Sequence, residues 1–339
     1  MTGQLENSYD VVVAGGGAAG LNGALMLARS RRRVAVIDAG RPRNAPAEGV
    51  HGLLARDGMP PAELLERGRS EVRHYGGHIV SGEIVGAVRE NDSFTVTLSD
   101  GRSVRARRLL VTTGLIDELP DIPGLRERWG NDVVHCPYCH GWEVRDRAIA
   151  VLSTGPMALH QVQLFRQLSD DIVFFTDDRP EPTAEEAGRL AARGIRVVPG
   201  KVTGIEVGGN GITGVRLADG TVVAREVVAV GTRMVARTDF LNDLGLDATE
   251  HPAGIGSYVP TDATGRTEVA GIWAAGNVTD LSAQVGASAA AGAAAGAQIN
   301  ADLVEEDVRA ALAARDTAFD AESEARLAES VNSTRGRGI

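Results

Sequence analysis

The stretch from Tyr9 to Asp38 restricts the fold more than any other part of the chain. Tyr9-Asp10-Val11-Val12-Val13-Ala14 is a β-rich run that enters Gly15-Gly16-Gly17-Ala18-Ala19-Gly20. Leu21, Leu25 and Ala28 then recur at helical spacing, and Val34-Ala35-Val36-Ile37 forms a second strand closed by Asp38. Strand, G-x-G-x-x-G, helix, strand and acid in that order make a βαβ unit of the dinucleotide-binding type. Gly15 permits the tight turn, Gly17 lets the backbone approach a pyrophosphate, and Gly20 lets helix and strand pack closely. The helix N-terminus then faces the phosphates, and Asp38 is placed to accept hydrogen bonds from a ribose hydroxyl. The unit does not by itself distinguish FAD from NAD.

A second feature carries the chemistry. His135-Cys136-Pro137-Tyr138-Cys139-His140-Gly141-Trp142-Glu143 holds the only two cysteines among 339 residues. Two thiols separated by two residues can close a small disulfide ring, and such a turn at a helix start lowers the pKa of one of them toward neutrality. A structural zinc site needs four N or S ligands, and no second Cys pair exists. His135 and His140 adjoin the cysteines too closely to complete a tetrahedron, so no metal is expected. A net charge of −10 without a basic tract argues against nucleic acid or an anionic membrane as partner. Met1 to Tyr9 is polar, so a cytoplasmic protein is expected, where a Cys pair is more often catalytic than a staple.

Between these features, 41–58 reads as a loop containing His51, a histidine expected to be merely solvated. A helix is predicted from about Pro61 to Tyr75, then strands at Ile79–Val85, Phe94–Leu98 and Ser103–Arg107, and a buried strand from Leu109 to Gly114. From about Asp117 the character changes, and a second βαβ pattern follows: strand Ala148–Leu152, turn Ser153–Ala158, helix to about Leu168, strand Ile172–Phe175. Its turn is a damaged fingerprint. Ser153 stands where the first glycine belongs, and Pro156, expected in the first helical turn, removes an N–H that could have met a phosphate. Thr176-Asp177-Asp178 lacks the arginines that a 2′-phosphate needs, so NADPH is disfavoured. Short strands continue to Val227–Gly231, and Ile272-Trp273-Ala274-Ala275-Gly276-Asn277 leads through Val278 into a small-residue helix expected from about Ala283 to Asn300. The Ala/Gly run of that helix, with Gln284, Ser288 and Gln298 interspersed, suits a close-packed buried helix better than a membrane span. The tail after Asp302 reads as a surface or subunit-contact helix fraying near Thr334.

This order of features resembles the low-molecular-weight thioredoxin reductases over nearly the whole chain. The resemblance implies an α/β architecture of two Rossmann-like nucleotide-binding domains: a discontinuous FAD-binding domain from 1–117 and 251–325, and an inserted NAD(P)H-binding-like domain, 118–250, carrying the CxxC. It makes FAD the cofactor, with Gly15, Gly17, Ala18, Ala19, Gly20, Asp38, Gly114, Gly276, Asn277, Val278, Ala283, Gln284 and Val285 as binding residues. Asn277 stands where the family has an Asp that binds the ribityl chain, and should still hydrogen-bond FAD. The helix start at Ala283–Gln284 would stabilise negative charge on reduced flavin. More specifically, Cys-Pro-Tyr-Cys-His-Gly-Trp-Glu is similar to the FAD-dependent dithiol oxidases that close the disulfides of gliotoxin, holomycin and related natural products. Thioredoxin reductases usually have Asp where this chain has His140, and they carry an intact NADPH turn and a His-Arg-Arg run.

The implied reaction begins with a substrate thiolate attacking the disulfide at Cys136, the outer sulfur, after which its second thiol releases the oxidised product. Cys139, the inner sulfur, passes the electrons to FAD, and molecular oxygen takes them to give hydrogen peroxide. His140 is the expected general base for the substrate thiol and acid toward Cys136, whereas His135 is expected to be structural. Partners implied are a small-molecule dithiol, oxygen and a second copy in a homodimer. Two other classes share these features: an NAD(P)H-dependent disulfide reductase, and a non-catalytic flavin redox sensor.

Overall fold

The computed structural model describes residues 5–318 and 324–326. β1 (Ser8–Ala14), α1 (Ala18–Arg29) and β2 (Val34–Asp38) form the first βαβ unit. α2 (Pro61–His74) opens on proline, whose missing N–H costs nothing in a first turn. β3 (His78–Ser81), β4 (Ile84–Glu90), β5 (Ser93–Leu98) and β6 (Ser103–Val111) follow. β7 (Leu115–Glu118), α3 (Leu125–Arg128), β8 (Val133–Val134) and α4 (Pro137–His140) lead into the second pattern. That pattern is β9 (Ile149–Leu152), α5 (Ala158–Phe165), β10 (Ile172–Phe175), α6 (Ala184–Ala191) and β11 (Arg196–Val198). Thr183 and Glu186 close a reciprocal capping box at the start of α6. β12 (Val202–Gly208), β13 (Gly211–Leu217) and β14 (Val222–Ala224) form a meander. β15 (Val227–Val230), β16 (Arg233–Ala236), β17 (Thr249–Glu250), β18 (Gly256–Tyr258), β19 (Ile272–Ala274) and α7 (Val285–Ala318) complete the described chain.

One sheet has the order β3-β2-β1-β6-β5-β4, with β19 also pairing β6. Its parallel strands are buried on both faces, which explains their unbroken apolar runs. Val11, Val13, Val34 and Val36 face α1, α2 and α7, while Val12, Ala14, Ala35 and Ile37 face the packing around Phe94 and Phe240. Each fully buried residue such as Leu27 contributes about 1.5–3 kcal/mol of transfer free energy. A second sheet, β11-β10-β9-β15-β8, carries the other βαβ pattern. The four-stranded sheet β17-β18-β16-β7 lies where the chain leaves the first sheet and returns to it. No helix among the described residues is long and apolar enough to cross a membrane.

Several expectations are corrected. The two strands expected at Ser103–Arg107 and Leu109–Gly114 are one, β6, because its first half pairs antiparallel with β5 and its second half runs parallel to β1. Leu115–Glu118, next to the presumed linker, pairs with β16 as a strand. The helix expected from Ala283 to Asn300 begins at Val285 and runs without a break through the charged segment. Asp302, Glu306 and Asp307 are drawn onto β6 by Arg107 and Arg108, so this part of the tail is an intrachain brace. The fraying expected near Thr334 lies outside the described residues.

Candidate functional site

The turn between β1 and α1 separates the three motif glycines by role. Gly15 has φ +103°, and a Cβ on it would strike the Thr112 carbonyl oxygen at 2.5 Å. A Cβ on Gly20 would lie 2.0 Å from the Gly15 carbonyl oxygen, so that glycine serves helix–strand packing. At Gly17 an added Cβ meets nothing within 4 Å, which is the open face a pyrophosphate requires. Asp38 accepts from the Gly40 amide at 3.2 Å and from Arg69 Nη2 at 3.1 Å. A carboxylate has about four lone-pair sites, so capacity for a ribose hydroxyl is left.

These groups line a continuous cavity of about 1300 Å³. That exceeds the range of roughly 300–1,000 Å³ typical of small-ligand pockets, giving room for a dinucleotide. Gly15, Gly17, Ala18, Ala19, Asp38, Gly114, Asn277, Ala283, Gln284 and Val285 all reach this cavity. Gly20, Gly276 and Val278 lie behind its wall: Val278 is fully buried, and a Cβ on Gly276 would meet Ala19 Cβ at 2.8 Å. Asn277 spends both amide hydrogens on the Asp280 and Ala283 carbonyls, at 3.0 and 2.8 Å. It therefore shapes the entry to α7 and has only its oxygen to offer a ligand, in place of the donor role a free amide would have. The glycine cradle, the acid and the volume together fit FAD.

The same cavity reaches Cys136, Cys139 and His140. The cysteines form a disulfide with Cα atoms 5.3 Å apart. Cys136 caps the single-turn helix α4, and its Sγ accepts from the Cys139 amide at 3.2 Å. On reduction that N–H favours the thiolate at Cys136. Neither ring nitrogen of His140 has a hydrogen-bond partner, so the side chain is free to meet a reacting thiol. Burial pushes its pKa down, while Glu143 opposes that shift. His135 donates from Nδ1 to the Val230 carbonyl at 3.0 Å and is also pushed down by burial, consistent with a structural part.

Four contributors escaped sequence reasoning. His51 is not a solvated loop residue: it lines the cavity, with Nδ1 3.5 Å from Asp57 and Nε2 3.4 Å from Glu143. Arg43 reaches from the same loop to clamp Asp117 at 2.6 and 2.7 Å. Gln161 of α5 donates to the His135 carbonyl at 2.7 Å and holds the segment before Cys136. No local pattern marks these residues, because their partners lie far away in sequence.

The second turn is closed. Thr154 Oγ1 donates to the Gly231 carbonyl at 2.7 Å, and Arg179 donates to the Thr154 carbonyl at 2.9 Å. Pro156 is not in the first turn of α5, as expected, but in the approach to it, where the Ala158 amide is taken by the Gly155 carbonyl. Asp177 is used on the Val202 amide at 2.9 Å and on Lys201 at 3.0 Å. Among the described residues no group of three or more His, Cys, Asp or Glu side chains could hold a metal ion.

Comparison with known proteins agrees with this geometry. The family model described as pyridine nucleotide-disulphide oxidoreductase matches residues 9–298. A protein named thioredoxin reductase tcpT, from Claviceps purpurea, is 31% identical over 80% of this chain and 87% of its own length. Thioredoxin reductase sirT from Leptosphaeria maculans is 31% identical over 79% and 86%. The crystal structure of HlmI superimposes with a TM-score of 0.87 at 45% identity, covering 94% of this chain and all of that one. An oxidoreductase from Agrobacterium tumefaciens superimposes with a TM-score of 0.82 at 36% identity over 88% of this chain and 99% of its own.

Proposed function

The chain belongs to the pyridine nucleotide-disulphide oxidoreductase family and is a flavin-dependent thiol–disulfide oxidoreductase of thioredoxin-reductase-like fold; from that premise we propose that it is a dithiol oxidase closing a disulfide in a small molecule. One observation carries this reading: the Cys136–Cys139 disulfide shares a cavity with the flavin cradle, while the second nucleotide turn spends its polar groups on the protein itself.

In this reading His140 takes the proton from one substrate thiol. The thiolate attacks Cys136 Sγ, forming a mixed disulfide as the bond to Cys139 breaks and Cys139 leaves as a thiolate. The second substrate thiol attacks the substrate sulfur of the mixed disulfide; the cyclic disulfide departs and Cys136 is left reduced, supported by the Cys139 amide. Two electrons have then passed from substrate to the Cys pair. FAD, when bound, supplies the acceptor that restores the disulfide and delivers the electron pair to oxygen, giving hydrogen peroxide. Gly15, Gly17 and Asp38 would hold its dinucleotide portion, and the start of α7 would face its redox portion.

The same reading includes a discontinuous FAD-binding domain from 1–117 and 251–325, an inserted domain 118–250 without a working NADPH site, a homodimer, and a cytoplasmic location. A second reading, an NAD(P)H-dependent disulfide reductase, is favoured by the names of the fungal relatives. A flavin sensor would show no turnover. The test is anaerobic flavin bleaching by NADPH, by NADH and by dithiothreitol in parallel, followed by admission of air and a peroxide assay. Bleaching by the dithiol alone, reversed by air with peroxide formed, supports the oxidase. Rapid bleaching by a nicotinamide overturns it.

A further inference from the structure

His51 sits on a loop fixed at both ends. Val50 bridges to Met59, and the Gly52 amide donates to Asp57 Oδ1 at 3.0 Å. The loop also abuts the start of α7, where a Cβ on Gly52 would lie 3.3 Å from Gln284 Oε1. From this platform the His51 imidazole lies between two carboxylates, Asp57 at 3.5 Å and Glu143 at 3.4 Å. Glu143 follows His140 by three residues, on the turn that continues α4. One carboxylate thus lies beside both the loop histidine and the histidine next to the disulfide.

A buried imidazole without hydrogen-bond partners cannot hold a thiol's proton cheaply, because the resulting charge must be compensated by its surroundings. The charges that face His140 are Glu143, His51 and His135. His135 donates to the Val230 carbonyl and faces Arg43 and Asp117, which neutralise each other. That leaves Glu143 as the compensating charge and His51 as its competitor.

We propose that His51 is a positioning residue acting on His140 through Glu143: the proton on His51 sets how much of that carboxylate is left to support a charge on His140. With His51 protonated, Glu143 is engaged and His140 gains little. With His51 neutral, the carboxylate is available to His140 when it accepts the thiol's proton. No electrons move in this step; one proton passes from substrate sulfur to imidazole nitrogen. The inference rests on His140 being the acceptor of that proton.

The experiment is an imidazole nitrogen NMR titration of the oxidised holoprotein, with His140→Ala identifying the resonance, applied to His51→Gln and Glu143→Gln. Removing His51 is expected to move the His140 midpoint up, and removing the Glu143 charge to move it down, each by about half a pH unit. The acid limb of the rate of anaerobic flavin reduction by dithiothreitol should follow in the same two directions. A structural role for either residue does not produce opposite shifts. Midpoints that stay in place, or move together, overturn the inference. If His51→Gln loses its flavin, Glu143→Gln on the exposed turn still supplies a test with its own sign. Should the wild-type rate profile match that of His140→Ala, the reading of His140 fails and this inference with it; a His140-dependent limb unmoved by both variants refutes the role of His51 alone.

Discussion

Gly292→Ala tests whether the flavin cradle is held by the contact between the two longest-range helical partners of the first sheet. Gly292 of α7 lies against the first turn of α1, and a Cβ built on it would be 1.9 Å from the Ala19 carbonyl oxygen. Real Cβ atoms essentially never approach within 3.0 Å, so the two backbones must part by about 1 Å. Ala19 lines the cavity, and parting the helices moves the turn that would hold the pyrophosphate. Alanine gains about 1 kcal/mol of intrinsic helix preference over glycine. Overpacking costs about 1–3 kcal/mol, and the high end or beyond applies because the obstacle is backbone rather than a side chain that can rotate. The expected balance is a loss of about 2 kcal/mol, near a thirtyfold fall in the folded-to-unfolded ratio. Gly188 of α6 is the control: it is exposed and a Cβ there meets nothing, so Gly188→Ala should stabilise by about 0.5–1 kcal/mol. The assay is the flavin-to-protein absorbance ratio after gel filtration, together with the melting temperature of both variants. Gly292→Ala with wild-type flavin content and an unchanged melting temperature would refute the reasoning.

Three further outcomes are expected. Cys139→Ser should keep its FAD and lose flavin reduction by dithiothreitol; an unaffected stopped-flow rate would remove Cys139 from the electron path. Arg43→Met strands Asp117, a side chain only 6% exposed that keeps just the Thr232 hydroxyl at 2.7 Å. A loss of about 3 kcal/mol in urea unfolding is expected, with Asp117→Asn in the same chain recovering part of it. His135 and His140 are both held below the ordinary value of 6.5 by burial. The unfolded chain therefore takes up more protons, so their contribution is fully present above about pH 6.5 and declines as the pH falls below it. Urea midpoints at pH 7.5 and 5.5 should differ in that direction, and His140→Ala should reduce the difference.

The amino-acid sequence alone was enough for the two βαβ units, the redox dithiol and the flaw in the second nucleotide turn. Each is a local signal: a period of apolar residues, a glycine spacing, a cysteine spacing. It also sufficed to separate Gly15, Gly17 and Gly20 by role, because a turn, an open face and a close packing contact each require a missing Cβ for a different reason. The tertiary structure decided what depends on distant partners. It joined β6 into one strand by changing its neighbours halfway, and it drew the charged half of α7 onto Arg107 and Arg108. It put Gly20, Gly276 and Val278 behind the cavity wall, and turned Asn277 toward its own loop. Above all it brought His51 to Glu143 across 92 positions of sequence. A loop histidine carries no periodicity, and the electrostatic meaning of such a residue exists only once burial has removed the water around its neighbours.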